Sequence, residues 1–157
     1  MTRWLSESEQ RAWRGLLQMT TKLEARLNRE LQEAGGLSLA DYDVLVPLSE
    51  ALHGRLRVFE LAGILGWERS RLSHHLARMH RRGLVCREEC DADRRGAFVV
   101  LTDEGRTAIR DAAPAHVETV RRLVFEGLSD EQVESLHALT QSVLRRLDAP
   151  APTAARA

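Results

Sequence analysis

The sequence predicts a mainly α-helical chain with one small β-hairpin, and three observations carry that expectation. Apolar residues recur at helical spacing along both ends of the chain. Capping boxes and glycines mark where helices start and stop. Across residues 84–101 the apolar pattern changes to the period expected of strands.

The first helix opens at Ser6-Glu7-Ser8-Glu9, where Ser6 accepts from the Glu9 amide and Glu9 reaches back. Trp13, Leu16, Leu17, Thr20, Leu23, Leu27 and Leu31 then form a stripe, and Gly35-Gly36 stops it. A helix of about 28 residues spans about 42 Å, too long to bury its stripe on one small core. A partner chain is the expected cover. Ser38 to Asp41 caps a second helix carrying Tyr42, Leu45, Val46 and Leu48, with Pro47 expected to kink it or shift its end. After His53-Gly54 and the short stretch Leu56-Arg57-Val58, a two-turn helix over Phe59–Leu65 ends at Gly66. A further helix runs from about Glu68 to Arg82, with Leu72, Leu76 and Met79 inward and Gly83 closing it.

Leu84–Glu88 and Ala97–Leu101 read as the strands of a hairpin, with the polar turn Glu89–Gly96 between them. Cys86 is expected to point inward, as a small apolar group. Thr102-Asp103-Glu104 starts a helix continuing through Val117, Val120 and Val124, kinked at Pro114 and stopped at Gly127. Ser129–Gln132 is a third capping box, opening a last helix with Val133, Leu136, Leu139, Val143, Leu144 and Leu147 as its stripe. A short helix, a glycine turn, a second helix and a hairpin make a winged helix-turn-helix.

Length suits one domain with an added oligomerisation element. The chain balances 23 basic against 23 acidic residues, so global charge names no partner. No apolar run approaches the roughly 20 residues of a membrane span, and no apolar leader follows a basic start. A cytoplasmic protein is therefore expected, with no membrane partner. Two cysteines make no disulfide framework and no ligand set has zinc-finger spacing, so neither cofactor nor metal is expected. Aromatics at 4% are too few for single-strand stacking platforms.

The distribution of charge is informative. From residue 69 to 82 there are five arginines and no acid, while the other 143 residues carry a net charge of −5. A merely solvated helix face would carry glutamates for i,i+4 pairing. Their absence favours nucleic acid. With Leu72, Leu76 and Met79 inward, Arg69, Ser70, Arg71, Ser73, His74 and Arg78 face outward to read base edges in a major groove. Arg78, Arg81 and Arg82 lie further along, better placed for phosphates. Five arginines on phosphates per subunit would give a dimer a log–log salt slope of about −9. His75 lies near the apolar stripe and Trp67 reads as a packing residue. In the turn, Asp93, Arg94 and Arg95 fit a wing tip whose arginine enters a narrow minor groove, with Asp93 holding Arg95 extended.

The stretch from Leu61 to Gly105 resembles the MarR family of bacterial transcription regulators. The resemblance rests on Leu84-Val85, Asp93-Arg94-Arg95-Gly96 and Val100-Leu101-Thr102-Asp103-Glu104-Gly105. With the order and length of the flanking helices it covers about residues 6 to 147. It implies a winged helix-turn-helix core flanked by N- and C-terminal dimerisation helices. The corresponding divisions are 1–35 for the N-terminal dimerisation helix, 36–101 for the DNA-binding region, 102–148 for the C-terminal dimerisation helices and 149–157 for a disordered tail. It also implies a homodimeric repressor that reads a pseudo-palindrome in double-stranded DNA. Asp93 and Arg95 take the wing roles, and residues 69–78 the groove. Glu68 departs from the family, where Ser or Thr more usually caps the reading helix.

The resemblance further implies release by a small phenolic or lipophilic ligand between the dimerisation and DNA-binding regions. That crevice draws on Trp13, Leu17 and Met19, on Tyr42, Leu45 and Val46, and on Ala112, Ala113 and His116. The competing reading is that these residues are simply core. A thiol switch through Cys86 and Cys90, with Arg87 nearby, is an alternative signal. Zinc on His74, His75 and His80 is weaker, because adjacent helical histidines point about 100° apart. An enzyme is disfavoured: no GxSxG, Walker loop or HExxH occurs, and His53, His116 and His137 are scattered. A helical adaptor that binds only protein accounts for the amphipathic ends but not for the acid-free basic helix.

Overall fold

A computed structural model describes residues 3–88 and 97–149. The turn 89–96, with Cys90, Asp93, Arg94 and Arg95, and the tail 150–157 lie outside the described residues. The chain divides into two compact units, Met1–Thr119 and Val120–Ala157.

In the first unit, α1 spans Glu7–Gly35 and opens on the Ser6–Glu9 capping box, with Glu9 N at 3.3 Å from Ser6 Oγ. Its buried residues are Leu27 and Leu31, near its C-terminal end. Trp13, Leu16, Leu17 and Met19 stand about half exposed. Gly36 takes the left-handed conformation (φ 69°) that ends the helix. Helix α2, Leu39–Glu50, opens on a second capping box between Ser38 and Asp41. Pro47 lies within its last turn, and the helix runs on to Glu50.

A tight turn over Leu52–Gly54 leads into β1, Arg55–Arg57, then α3, Val58–Leu65, and α4, Arg69–Arg81. Gly66 (φ 63°) separates the two helices. Glu68 is the N-cap of α4 and makes no side-chain capping bond, so this helix starts with its first amides uncapped from within. Strands β2, Val85–Glu88, and β3, Phe98–Leu101, follow, then α5, Asp103–Val120.

The sheet has three strands in the order β1-β3-β2, all antiparallel, where the sequence had indicated two. Arg-Leu-Arg is too short to show a period. Its pairing with β3 (Arg57 opposite Phe98) is a long-range contact that sequence spacing does not encode. Register also corrects Cys86. Val85, paired with Leu101, is the buried residue of β2, and Cys86, paired with Val100, lies on the opposite face and is half-buried.

Leu45, Leu48, Leu61, Leu72, Leu76, Met79 and Val99 are fully buried and join α2, α3, α4 and the sheet into one core. Each such leucine contributes roughly 1.5–3 kcal/mol. The core fixes α4 by its inward face. Thr102 ties the sheet to α5: its hydroxyl donates to Gly83 O at 2.6 Å and accepts from Gly105 N at 3.0 Å. Gly105 is required here, since a Cβ would sit 2.1 Å from Leu84 O.

In the second unit a π-helical turn, Arg121–Phe125, is followed by α6, Asp130–Asp148, capped by the Ser129–Gln132 box. The expected α-helical run through Val124 therefore changes form after Val120, with Glu126 N bonding Arg121 O. None of the residues of α6 is buried, and Leu139, Val143, Leu144 and Leu147 are exposed on it. Among the described residues no helix is long and apolar enough to cross a membrane.

Candidate nucleic-acid interface

Helix α4 sorts as its periodicity requires. Leu72, Leu76 and Met79 are fully buried, His75 is 6% exposed, and Arg69, Ser70, Arg71, His74, Arg78 and Arg81 stand on the solvent side. Ser73 is half-buried, and its carbonyl accepts from Arg87 Nη2 of β2 at 3.2 Å. The exposed residues of α4 thus comprise four arginines, Ser70, His74 and His80, with no carboxylate among them.

Beneath that face lies a charged cluster. Asp41 is 3% exposed. Its Oδ2 accepts from Arg82 Nη1 at 2.6 Å and from Ser38 N at 2.9 Å, and Oδ1 lies 3.0 Å from His75 Nε2. Burial pushes the Asp41 carboxyl up, but His75, the Ser38 amide and Arg82 outweigh it and hold the group well below the usual aspartate range. Asp43, one position after Tyr42, goes the other way: burial and then Glu24 raise it, against Arg71 and His75.

Arg82 also donates to Gly36 O at 2.8 Å, so it joins the ends of α1 and α4 to the first turn of α2. Both amino groups of the guanidinium expected among the phosphate contacts are thus engaged within the protein. Helical periodicity put Arg82 beyond the apolar stripe, but its partner is 41 residues away and not visible to local spacing.

On the solvent face, Arg71 Cζ sits 4.2 Å from the centroid of the Trp67 ring. Trp67 in turn meets His75 edge-on, with centroids 5.5 Å apart and planes at 87°. Arg78 Nη2 lies 2.8 Å from His75 Nδ1. A guanidinium can only donate, so Nδ1 accepts and the ring proton lies on Nε2, facing Asp41. At the edge of the sheet, Arg55 and Arg57 lie over Phe98 at 4.2 and 4.7 Å, with Arg55 also 3.5 Å from Glu88. Sequence reasoning missed Arg55 and Arg57; their basic character was visible, their strand pairing was not.

The residues expected around a ligand divide. Tyr42 and His116 come together, with ring centroids 4.4 Å apart and planes tilted by 33°. Tyr42 is buried and its hydroxyl is shifted up by desolvation, whereas burial shifts His116 down. His116 Nδ1 is buried without a hydrogen-bond partner among the described residues. Leu45 is core and Val46 packs half-buried beside it. Ala112 is buried and Ala113 half-buried. Trp13, Leu17 and Met19 stand exposed on α1, where Leu17 lines an open groove with Arg14, Gln18, Thr21 and Lys22. No group of three or more His, Cys, Asp or Glu side chains suited to a metal occurs among the described residues.

A basic helix behind a glycine turn, backed by a three-stranded sheet, defines a winged helix-turn-helix protein. No family model matches the chain. The crystal structure of Sco3205, a MarR family transcriptional regulator from Streptomyces coelicolor in complex with DNA, is 43% identical. It aligns over 95% of this chain and 93% of that one, with a TM-score of 0.90. The transcriptional repressor MprA of Escherichia coli is 27% identical over 132 residues, 84% of this chain and 74% of MprA. CouR from Rhodococcus jostii RHA1, bound to p-coumaroyl-CoA, is 28% identical over 82% of this chain and 87% of that one, with a TM-score of 0.71. The chain belongs to the MarR family of transcriptional regulators, which are not enzymes.

Proposed function

We propose that the protein is a homodimeric repressor that reads a pseudo-palindromic operator in double-stranded DNA. One observation carries the reading: the solvent face of α4 holds Arg69, Arg71, Arg78 and Arg81 with no acid among them, on a helix rigidly seated by Leu72, Leu76 and Met79. Ser70, Ser73 and His74 complete the groove-reading group, and Asp93, Arg94 and Arg95 act from the wing. Phosphate contacts position such a helix, and bidentate arginine contacts to guanine specify the sequence. The relative Sco3205, in complex with DNA, supports the partner, and the repressor MprA supports the sign of regulation.

The uncovered apolar residues on α1 and α6 support dimerisation. A small lipophilic or phenolic effector is assigned to the neighbourhood of Tyr42, Leu45, Val46 and His116 with Trp13, Leu17 and Met19. Support comes from the aromatic pair Tyr42–His116, from the unpartnered His116 Nδ1, and from the aromatic acyl thioester bound by CouR. The ligand shifts the protein by binding one subunit arrangement better than the other. Action in the cytoplasm completes the proposal.

The test is selection of duplexes by the purified protein from a randomised pool. Recovery of an inverted repeat, bound preferentially over poly(dI-dC), is the expected result. Recovery of no preferred sequence overturns the reading.

A further inference from the structure

Residues 67, 71, 75 and 78 follow one another at helical i, i+4, i+8 and i+11 spacing, and the structure links them side chain to side chain. Arg71 stacks on Trp67, Trp67 meets the edge of His75, and His75 accepts from Arg78. His75 is buried and backed by Asp41, which Arg82 and Ser38 hold in turn. Two exposed arginines are therefore held in place by a layer that lies beneath the reading face. Arg69 and Arg81 are different: among the described residues neither makes a hydrogen bond, an ion pair or a ring contact.

The division matters physically. A free arginine loses its rotamer freedom when it binds, whereas one already held loses little. Free arginines suit phosphates, whose recognition tolerates many poses. Held arginines suit base edges, where a planar fork must meet two acceptors at fixed positions. From this arrangement we infer that Trp67 and His75 are positioning residues for sequence discrimination. They fix the guanidinium planes of Arg71 and Arg78 without touching DNA, while Arg69 and Arg81 supply sequence-independent attraction. The inference rests on the DNA-reading proposal above and adds which arginines discriminate and what holds them. Asp43 lies within electrostatic reach of Arg71, whose plane is set by the indole face beneath it.

The experiment uses the full-length chain, the duplex it selects most strongly, and poly(dI-dC) as the sequence-free competitor. Trp67→Leu is expected to lower the ratio of the two affinities about tenfold, with the salt slope unchanged. Trp67→Phe, which keeps an aromatic face, restores most of that ratio. His75→Leu lowers it similarly by releasing Arg78. In an Arg71→Ala background Trp67→Leu costs nothing further, because the residue it positions is gone. That coupling separates positioning from general destabilisation, which would add to the loss. An unchanged ratio in Trp67→Leu, or losses that add in the double variant, overturns the inference. A wild-type protein that selects no duplex overturns the DNA-reading proposal itself.

Discussion

Arg82 Nη1 lies 2.6 Å from Asp41 Oδ2, and this one contact fastens the end of the reading helix to the first turn of α2. Arg82 spends its other amino group on Gly36 O, at the end of α1. Three helix termini meet at two side chains, and the carboxylate at their centre is nearly inaccessible to water.

Asp41 therefore makes stability depend on acid. Its folded pKa is depressed, so its contribution is fully present above the unfolded aspartate value of about 4 and is lost as pH falls below it. Asp41→Asn leaves His75 and Arg82 without their anion and should cost about 1–3 kcal/mol at pH 7. Between pH 5 and pH 3 the variant should lose less stability than the wild type. Urea unfolding at matched protein concentration across that range measures both effects.

His116 gives a second, separate window. Burial lowers its folded pKa, so the unfolded chain binds the proton more readily and stability falls as pH drops below about 6.5. His116→Phe keeps a ring against Tyr42, removes the unpartnered Nδ1 and should flatten the change in thermal midpoint between pH 7.5 and pH 5. An undiminished slope would assign that dependence to other groups.

Gly105 sets the close approach of α5 to the sheet. Gly105→Ala places a methyl 2.1 Å from Leu84 O and 2.8 Å from Leu101 Cδ1. Backbone must move, and a loss of about 2–3 kcal/mol in urea unfolding is expected. Gly63, which has open space at its Cβ position, is the control: Gly63→Ala should be neutral or slightly stabilising.

Capping, periodicity and charge made most of the fold legible before any coordinates. Ser6–Glu9, Ser38–Asp41 and Ser129–Gln132 each form the reciprocal bonds their spacing announces, because an N-cap is a four-residue, local device. The inward face of α4 was readable for the same reason. Strand β1 was not, since its partner Phe98 lies more than 40 residues on and three residues show no period. The outward face of Cys86 was likewise decided by register with Val100. Of the site, the exposed arginines were legible as charge without acid. The roles of Arg82 and Trp67 were not, because a buried aspartate from α2 and a stacked ring decide them.

The apolar residues on α6 predict association. Leu144 is 49% exposed and Leu147 73% exposed in a single chain. Sedimentation at about 10 μM should show twice the 17.7 kDa chain mass, and Leu144→Glu should shift it toward the monomer. A wild-type protein that sediments at the chain mass throughout removes the homodimer from the proposal.

The proposed DNA contacts of α4 run through Arg69, Arg71, Arg78 and Arg81 and leave out Arg82, which is engaged by Asp41 and Gly36. Arg69 and Arg81, two phosphate-directed arginines per subunit and four per dimer, give a log–log salt slope of roughly −4 for binding to the selected duplex. Arg81→Ala in both subunits should bring it toward about −2, while Arg82→Ala leaves the slope unchanged and costs stability instead. Titration of the three proteins from 50 to 200 mM salt is the most direct test. A slope near zero, or one that falls equally for Arg81→Ala and Arg82→Ala, would contradict the account.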